Sequence, residues 1–251
     1  MPNQYDLTVQ SNEPLTKHMR QVILEGSSLE EFPEDQESGY VKVAFTQDNG
    51  DRVLRSYTVR AFDRKTLTLD FVDHGDTGPA SKWVRHAESG QLLTVYGPGE
   101  KKLVDPEADW FLIGGDLASL PAISVNLETL SDGAKGYAVI EIPDEEDQQP
   151  LSHPQGVELI WIMAGKKDLP NKLLSETIRS LKWLEGTPYP WFAGEFEGMR
   201  EMRKYLRDER GIDRRAMYLS CYWKYGETDE GMKQAKQRDA QDDALRNPAE
   251  N

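Results

Sequence analysis

The hydrophobic pattern of this chain changes once, just after residue 103, and this change restricts the fold more than any other feature of the sequence. Before it, apolar and polar residues alternate in short runs, which is typical of strands with one buried face. After it, short apolar runs alternate with longer amphipathic segments, which is typical of strands and helices in a parallel sheet. We therefore expect an N-terminal antiparallel β-barrel followed by a doubly wound α/β domain.

The N-terminal part has several short runs rich in β-branched and aromatic residues. The predicted strands are residues 40–45, 56–60, 66–72 and 92–96, with a hairpin turn at 48–51. Residues 78–87 interrupt the alternation and predict one short helix, because Pro79 suits a first helical turn. Several short strands at this spacing favour a barrel or a sandwich.

The second part begins after an acidic linker at residues 105–107. Its predicted strands are residues 110–113, 136–140, 157–162, 190–193 and 216–220. Its predicted helices are residues 120–130, 169–181 and 196–207. In such a sheet, ligands bind at the carboxyl ends of the strands.

These patterns predict a domain organisation. We expect the barrel in residues 1–105, the α/β domain in residues 106–226 and a charged tail in residues 227–251. The tail has few large apolar side chains, which favours a solvated helix or a frayed end over a partner-binding helix.

The charge of the chain excludes some partners. Asp and Glu total 44 and Lys and Arg total 30, so the formal net charge is −14. Such a surface repels polyphosphate backbones, so nucleic acid is not an expected partner. A small anionic ligand then needs basic residues gathered locally.

Location and metal content follow from what the sequence lacks. No apolar run approaches the ~20 residues that span a bilayer, and the first residues do not resemble a signal peptide. We expect a soluble, cytoplasmic protein, and the single Cys221 fits a reducing compartment. The 4 His residues are scattered, so no metal site is predicted.

A run of polar and aromatic residues at 55–60 has the chemistry that a flavin requires. Tyr57 offers a flat ring to the isoalloxazine, Thr58 a hydrogen-bonding group near N5, and Arg55 a cation for the pyrophosphate. An ordinary strand with two exposed arginines is the alternative interpretation.

A second motif, residues 75–83, leads from a predicted strand into a helix start. Backbone amide groups converge there with the positive helix end, which makes an anion site. Gly78 permits close approach of a pyrophosphate, Ser81 adds a hydroxyl and Trp83 an aromatic plane. The two motifs together are more specific than either alone.

With these motifs the chain resembles the siderophore-interacting proteins, flavin-dependent ferric-siderophore reductases of the ferredoxin-reductase-like group. The matching stretches are RSYTVR (55–60), HGDTGPASKW (74–83), GDLASLPAI (115–123), WFAGE (191–195) and CYWKYG (221–226). They occur in the family's order and cover most of the chain.

The resemblance implies that the barrel binds FAD and that the α/β domain binds NADH or NADPH. The implied FAD-binding residues are Arg55, Tyr57, Thr58, Val59, His74, Gly78, Pro79, Ala80, Ser81 and Trp83. The predicted nucleotide-binding residues, at strand ends, are Gly115, Asp116, Gly194 and Glu195. Leu117, Ala118 and Ser119 replace the family's Glu, Thr and Ala, so ferredoxin is an alternative electron donor.

The resemblance also implies a ferric siderophore as substrate, with electrons passing through FAD to Fe(III) and release of Fe(II). The matching basic positions are Lys42 and Lys224, with Lys101 or Lys102 as a third candidate. Electron transfer of this kind needs no catalytic acid or base on the protein. The alternative function is a flavin- or siderophore-binding module with little turnover.

Overall fold

The computed structural model describes residues 3–47, 49–75, 78–164 and 172–246. The N-terminal part forms a seven-stranded sheet in the order β4-β3-β7-β1-β2-β6-β5, and its neighbouring strands pair antiparallel. Its strands are β1 (Gln4–Pro14), β2 (Met19–Glu25), β3 (Tyr40–Thr46), β4 (Arg52–Thr58), β5 (Ala61–Phe62), β6 (Thr66–Val72) and β7 (Leu92–Gly99). A short helix, α1 (Pro79–His86), follows β6.

Alternation along the strands explains why this sheet encloses a core. In β3, Val41, Val43 and Phe45 are buried, whereas Lys42 between them is exposed. The sheet curls into a half-barrel that brings β4 near β6, where the rings of Tyr57 and Phe71 lie 4.0 Å apart. The predicted antiparallel barrel is confirmed in this form.

The C-terminal part forms a five-stranded parallel sheet in the order β10-β9-β8-β11-β12. Its strands are β8 (Trp110–Asp116), β9 (Lys135–Ile142), β10 (Gly156–Met163), β11 (Pro188–Glu195) and β12 (Tyr218–Trp223). Its helices are α2 (Leu120–Thr129), α3 (Leu173–Ser180), α4 (Phe196–Lys204) and α5 (Asp229–Arg246), and α4 continues into a π-helical turn (Tyr205–Glu209).

Helices cover both faces of this sheet, which confirms the predicted doubly wound fold. From β8, Phe111 and Ile113 pack in the same core as α2, whereas Trp110 and Leu112 pack with residues of α3 and α4. The strand order reverses between β8 and β11, so the topological switch point lies at the carboxyl ends of these two strands.

Hydrogen bonds tie the two sheets together on one side. Asn126 of α2 is fully buried and accepts a hydrogen bond from the backbone N–H of Val104 at 2.8 Å. Its amide group donates to the carbonyl of Lys102 at 3.1 Å, and the indole of Trp191 donates to that same carbonyl at 2.8 Å. The segment between the sheets is thereby fixed to the α/β core.

A second connection joins the loop between β1 and β2 to the short helical turn after β9 (Glu145–Asp147). The fully buried Asp147 accepts hydrogen bonds from the Thr16 hydroxyl at 3.0 Å and from the His18 backbone N–H at 2.8 Å. Its other oxygen lies 2.6 Å from Nδ1 of His18. Lys17 pairs with Asp144 at 2.6 Å beside it.

Several predicted element boundaries require correction. The strands β1 and β2 were not predicted individually, although Tyr5, Leu7 and Val9 alternate with polar residues in β1 and Val22 and Leu24 are buried in β2. The run at 56–60 was predicted as one strand, but β4 ends at Thr58. The last strand begins at Tyr218 rather than at residue 216, and the helix predicted over 196–207 changes to π geometry at Tyr205. Residues 48 and 169–171 of the predicted turn and helix lie outside the described residues.

The tail is a packed helix rather than a frayed end. In α5, Asp239 pairs with Arg200 at 3.0 Å and also with Arg203, and Asp243 pairs with Arg207 at 2.9 Å. Lys236 donates to the carbonyl of Cys221 in β12 at 2.7 Å. The sequence shows little amphipathic pattern here because charges, rather than an apolar stripe, hold the helix. Among the described residues, no helix is both long and apolar enough to cross a membrane.

Replacing Asn126 with Ala should destabilise the fold, because it leaves the buried Val104 N–H and Lys102 carbonyl without this partner. We expect a loss of about 2 kcal/mol in the free energy of unfolding, measured by urea denaturation. Ser124→Ala is the matched control, since that buried hydroxyl donates only within α2, to the Leu120 carbonyl. Equal losses in both variants would contradict a special role for Asn126.

Candidate functional site

A cleft of about 680 Å³ lies between the half-barrel and the carboxyl edge of the parallel sheet. On the half-barrel side it is lined by Lys17, His18, Val72, Asp73, His74, Gly75 and Arg85. On the opposite side its lining includes Gly115, Asp116, Leu117, Ala118, Glu141, Glu195 and Trp223. We call this space the inter-sheet cleft, and it includes the topological switch point where ligands of such sheets bind.

The first flavin motif lies on one face of β4. Arg55 is paired with Val43 and Tyr57 with Val41, so both side chains project to the face that carries the barrel core. The Tyr57 ring packs against Phe71, and burial raises the pKa of Tyr57 far above its ordinary value. The phenol therefore stays neutral and can act only as a ring and a hydrogen-bonding group.

The next two residues of the motif are buried. Thr58 is 8% exposed, and Val59 is fully buried within the barrel core. Val59 also exchanges backbone hydrogen bonds with the segment before β3, donating to Gly39 and accepting from Ser38. The Val59 side chain thus has a packing role in this structure, and its predicted contact with FAD stays a prediction.

The second flavin motif turns from β6 into α1. Gly78 precedes the helix with a φ of 84°, a conformation that favours glycine, and Pro79 occupies the first helical turn. The Ser81 hydroxyl accepts from the His74 backbone N–H at 3.2 Å and donates to the Val72 carbonyl at 3.3 Å. In this structure Ser81 therefore fixes the end of β6 to the start of α1.

Three further residues of this motif lie against the barrel core or at the cleft. Trp83 packs 5.7 Å from Phe71, so it belongs to the same aromatic cluster as Tyr57, and Ala80 packs on the barrel core. His74 lines the inter-sheet cleft, and burial lowers its pKa, which favours the neutral imidazole. Of the predicted FAD-binding residues, His74 is the one that the cleft lining includes.

Asp116 connects three strand ends at the floor of the cleft. Its carboxylate accepts hydrogen bonds from the Trp223 indole at 2.7 Å, the Glu195 backbone N–H at 3.0 Å and the Ala118 backbone N–H at 3.0 Å. Burial raises the pKa of Asp116 to about 6, although these hydrogen bonds oppose the shift. The carboxyl group can therefore gain or lose a proton near neutral pH.

Two predicted nucleotide-binding glycines make this arrangement possible. A Cβ on Gly194 would lie 2.6 Å from Oδ2 of Asp116, so only glycine leaves room for the carboxylate. A Cβ on Gly115 would lie 2.1 Å from both the Ala193 carbonyl oxygen and the Ser119 hydroxyl. Both glycines thus have a packing reason here, and their contact with a nucleotide stays a prediction.

Glu195 ends β11 and caps α4. Its Oε2 accepts from the backbone N–H groups of Glu197 at 2.6 Å and Gly198 at 3.1 Å, and its Oε1 accepts from that of Tyr225 at 3.2 Å. The residue thereby fixes the loop after β12 to the helix start. This capping role does not require a nucleotide.

The lining of the inter-sheet cleft does not include the predicted substrate lysines. Lys42 is exposed on the face of β3 opposite to Val41 and Val43, and Lys101 is exposed after β7, and neither lines the cleft. Lys224 follows the cleft residue Trp223, and its Nζ lies 3.1 Å from Oε1 of Glu197. Their shared role in substrate binding stays a prediction.

The motifs did not identify His18, Arg85 or Trp223 as cleft residues. His18 and Arg85 lie outside any binding pattern in the sequence, so only the packing of the two sheets reveals them. Trp223 could have been found, since it ends a strand of the parallel sheet at the same edge as Asp116. In the described part of the chain, no group of His, Cys, Asp and Glu could hold a metal ion.

Comparisons with known proteins match both halves of the chain. Residues 108–226 match the family model described as siderophore-interacting protein, and residues 48–102 match that of the siderophore-interacting FAD-binding domain. The ferric vibriobactin reductase ViuB of Vibrio cholerae serotype O1 is 34% identical over 239 residues, which cover 86% of this chain and 88% of that protein.

Solved structures agree with these matches. The siderophore-interacting protein SipS from Aeromonas hydrophila has a TM-score of 0.84 and 32% identity, covering 96% of this chain and 99% of that chain. A siderophore utilization protein from T. fusca has a TM-score of 0.83 and 29% identity, covering 90% and 95%.

Asp116 should make the folding stability depend on pH. An acid whose pKa is raised in the folded state binds its proton more tightly there, so its contribution favours the fold at low pH and is lost as the pH rises. With a pKa of about 6 in the folded state, we expect Asp116 to lower the free energy of unfolding by about 2 kcal/mol between about pH 4 and pH 7.

Urea denaturation across this pH range, in the parent and in Asp116→Asn, measures the effect. The variant should lack this pH dependence because its amide does not titrate, so the stability of the parent relative to the variant should fall by about 2 kcal/mol as the pH rises through this range. A difference that does not change with pH would contradict the assignment.

Proposed function

This chain belongs to the siderophore-interacting protein family, and on that premise we propose that it is an FAD-dependent ferric-siderophore reductase. Electrons enter from NADH or NADPH, pass through FAD and reduce siderophore-bound Fe(III) to Fe(II). The siderophore releases Fe(II) because its hard oxygen ligands prefer the more highly charged ion.

The observation that carries this proposal is the identity with the ferric vibriobactin reductase along both sheets rather than along one of them. A match to the barrel alone would indicate only a shared cofactor-binding domain. Here the half-barrel and the parallel sheet both match, and the inter-sheet cleft lies between them.

The residues present fit FAD. Tyr57, Phe71 and Trp83 form an aromatic cluster beside β4, and Arg55 adds a guanidinium on the same strand face. The start of α1 provides the backbone N–H groups of Gly78 and Ala80 and a positive helix end for the pyrophosphate. When bound, FAD supplies the exchange between hydride and single-electron chemistry.

The remaining residues of the cleft hold its walls in place. Asp116 holds the Trp223 ring at the cleft, and Glu195 fixes the loop that carries Lys224. Leu117 and Ala118 present apolar surface where the family's polar residues would face a nicotinamide nucleotide. We propose that packing and backbone groups, rather than these side chains, orient the electron donor.

We place the reaction in the cytoplasm, where NADH and NADPH are available and where the single Cys221 needs no disulfide partner. The ferric siderophore is the proposed partner. Reduced ferredoxin is the alternative electron donor, because Leu117 and Ala118 offer a nicotinamide nucleotide no polar side chain.

The test of the proposal is anaerobic stopped-flow spectroscopy of the FAD-loaded protein. Flavin absorbance should decrease with NADH or NADPH and recover when a ferric siderophore is added, and a ferrous chelator should trap Fe(II) at the same rate. Loss of flavin absorbance that does not recover with the ferric siderophore would contradict the proposed reductase activity and would favour a flavin-binding module.

Arg55→Ala should weaken FAD binding, because a charge-assisted contact with phosphate contributes roughly 1.5 to 3 kcal/mol. We expect the Kd for FAD to rise about tenfold or more, measured by flavin fluorescence on titration. Arg52→Ala is the matched control, since Arg52 lies on the same strand, paired with the exposed Thr46 on the other face. Equal Kd values for the two variants would show that Arg55 does not contribute to FAD binding.

A further inference from the structure

The cations around the inter-sheet cleft are already paired with carboxylates. Lys17 pairs with Asp144 at 2.6 Å and with Glu146 at 2.7 Å, and Arg85 pairs with Asp73 at 3.0 Å. Lys224, beside the cleft, pairs with Glu197. An anionic ligand therefore meets cations whose charge is neutralised within the protein, in a chain whose net charge is −14.

Glu197 is the acid among these that holds two cations at once. Its Oε1 lies 3.1 Å from Nζ of Lys224, and its Oε2 lies 3.0 Å from Nη1 of Arg200. Burial alone would raise the pKa of Glu197, but the hydrogen bonds from Lys224 and Arg200 lower it, so the group stays ionised. Lys224 also lies 4.5 Å from the centre of the Phe196 ring, so its ammonium is held from two sides.

Arg200 is held in turn by the C-terminal helix. Its Nε lies 3.0 Å from Oδ1 of Asp239 in α5. The four side chains form a continuous series, Asp239, Arg200, Glu197 and Lys224, that runs from α5 to the residue after Trp223.

We propose that Glu197 is a specificity-determining residue: it pairs with Lys224 in the free protein, and an anionic ferric siderophore replaces it as the partner of Lys224 on binding. This inference rests on the proposed function, since that function supplies the class of ligand. Glu197 acts as an internal competitor, so a ligand must carry enough negative charge to displace it. A neutral ferric chelate gains nothing from the exchange.

The exchange is feasible because Glu197 keeps a partner throughout. When Lys224 turns to the ligand, the Glu197 carboxylate remains paired with Arg200, which Asp239 keeps in place. No carboxylate is left without a cation, which is the costly outcome when one member of a partly buried pair is removed. The side chains of Lys224 and Glu197 are 20% and 36% exposed, so a ligand can reach the pair, which lies next in sequence to the cleft residues Trp223 and Gly198.

The test measures binding without turnover. Gallium(III) replaces iron, since it cannot be reduced under these conditions, in two hexadentate chelates: a trianionic tricatecholate and a neutral trihydroxamate. Quenching of tryptophan fluorescence gives Kd for the FAD-loaded parent, Glu197→Gln and Glu209→Gln. The last variant is the matched control, because it removes the same charge and also breaks a glutamate–arginine pair, with Arg179.

Glu197→Gln should tighten binding of the tricatecholate about two- to fivefold, which is the effect of breaking a partly exposed ion pair. It should leave binding of the trihydroxamate unchanged, and Glu209→Gln should change neither Kd. In a Lys224→Met background, Glu197→Gln should have no further effect, which shows that the gain passes through Lys224 rather than through Arg200.

Three results would overturn the inference: equal tightening of both chelates, a gain that persists without Lys224, or no gain for the tricatecholate. Binding that behaves as expected, in a protein that does not reduce the ferric forms, would support the inference and contradict the proposed function. Reduction of the ferric forms without the Glu197 effect would do the reverse.

Discussion

The carboxylate of Asp116 has to be enclosed and satisfied at the same time, and much of the cleft depends on how this is done. It accepts hydrogen bonds from the Trp223 indole and from backbone N–H groups of Glu195 and Ala118. A buried acceptor without partners is costly, so these contacts fix the ends of β8, β11 and β12 relative to one another. Gly194 is required because any side chain there would displace the carboxylate. The floor of the cleft is therefore one polar network rather than a set of independent strand ends.

The fold could be predicted largely from the sequence because its signals are local. Alternation in residues 40–45 and 66–72 and the apolar run at 110–113 each depend on burial of a few neighbouring side chains, and the structure contains strands there. Strands β1 and β2 carry the same local alternation but were not predicted individually. The packing of α5 was not predicted because it depends on partners distant in sequence, such as Arg207 for Asp243. The candidate site divides in the same way. The strand-end positions Asp116 and Glu195 could be named from the pattern, whereas His18 enters the cleft only through the packing of the two sheets.

The distribution of charge bears on how a chain with a net charge of −14 can accept the anionic ferric chelates that we propose as its ligands. Cations are present at the cleft, but each has a carboxylate beside it, as in the pairs Lys17–Asp144 and Arg85–Asp73. A siderophore-interacting protein with free cations there would attract any small polyanion, including phosphate. Paired cations instead favour ligands that are anionic and also large enough to contact the surrounding surface.

The two sheets are joined by Asn126 and Trp191 through the segment between them, and again by Asp147 with Thr16 and His18. Two separate connections of this kind oppose hinge bending, because a rotation about one of them would stretch the hydrogen bonds of the other. The cleft then behaves as a slot of fixed width. A ligand that binds between the sheets then meets groups whose spacing is set when the chain folds, so the shape of the cleft itself selects which ligands can enter.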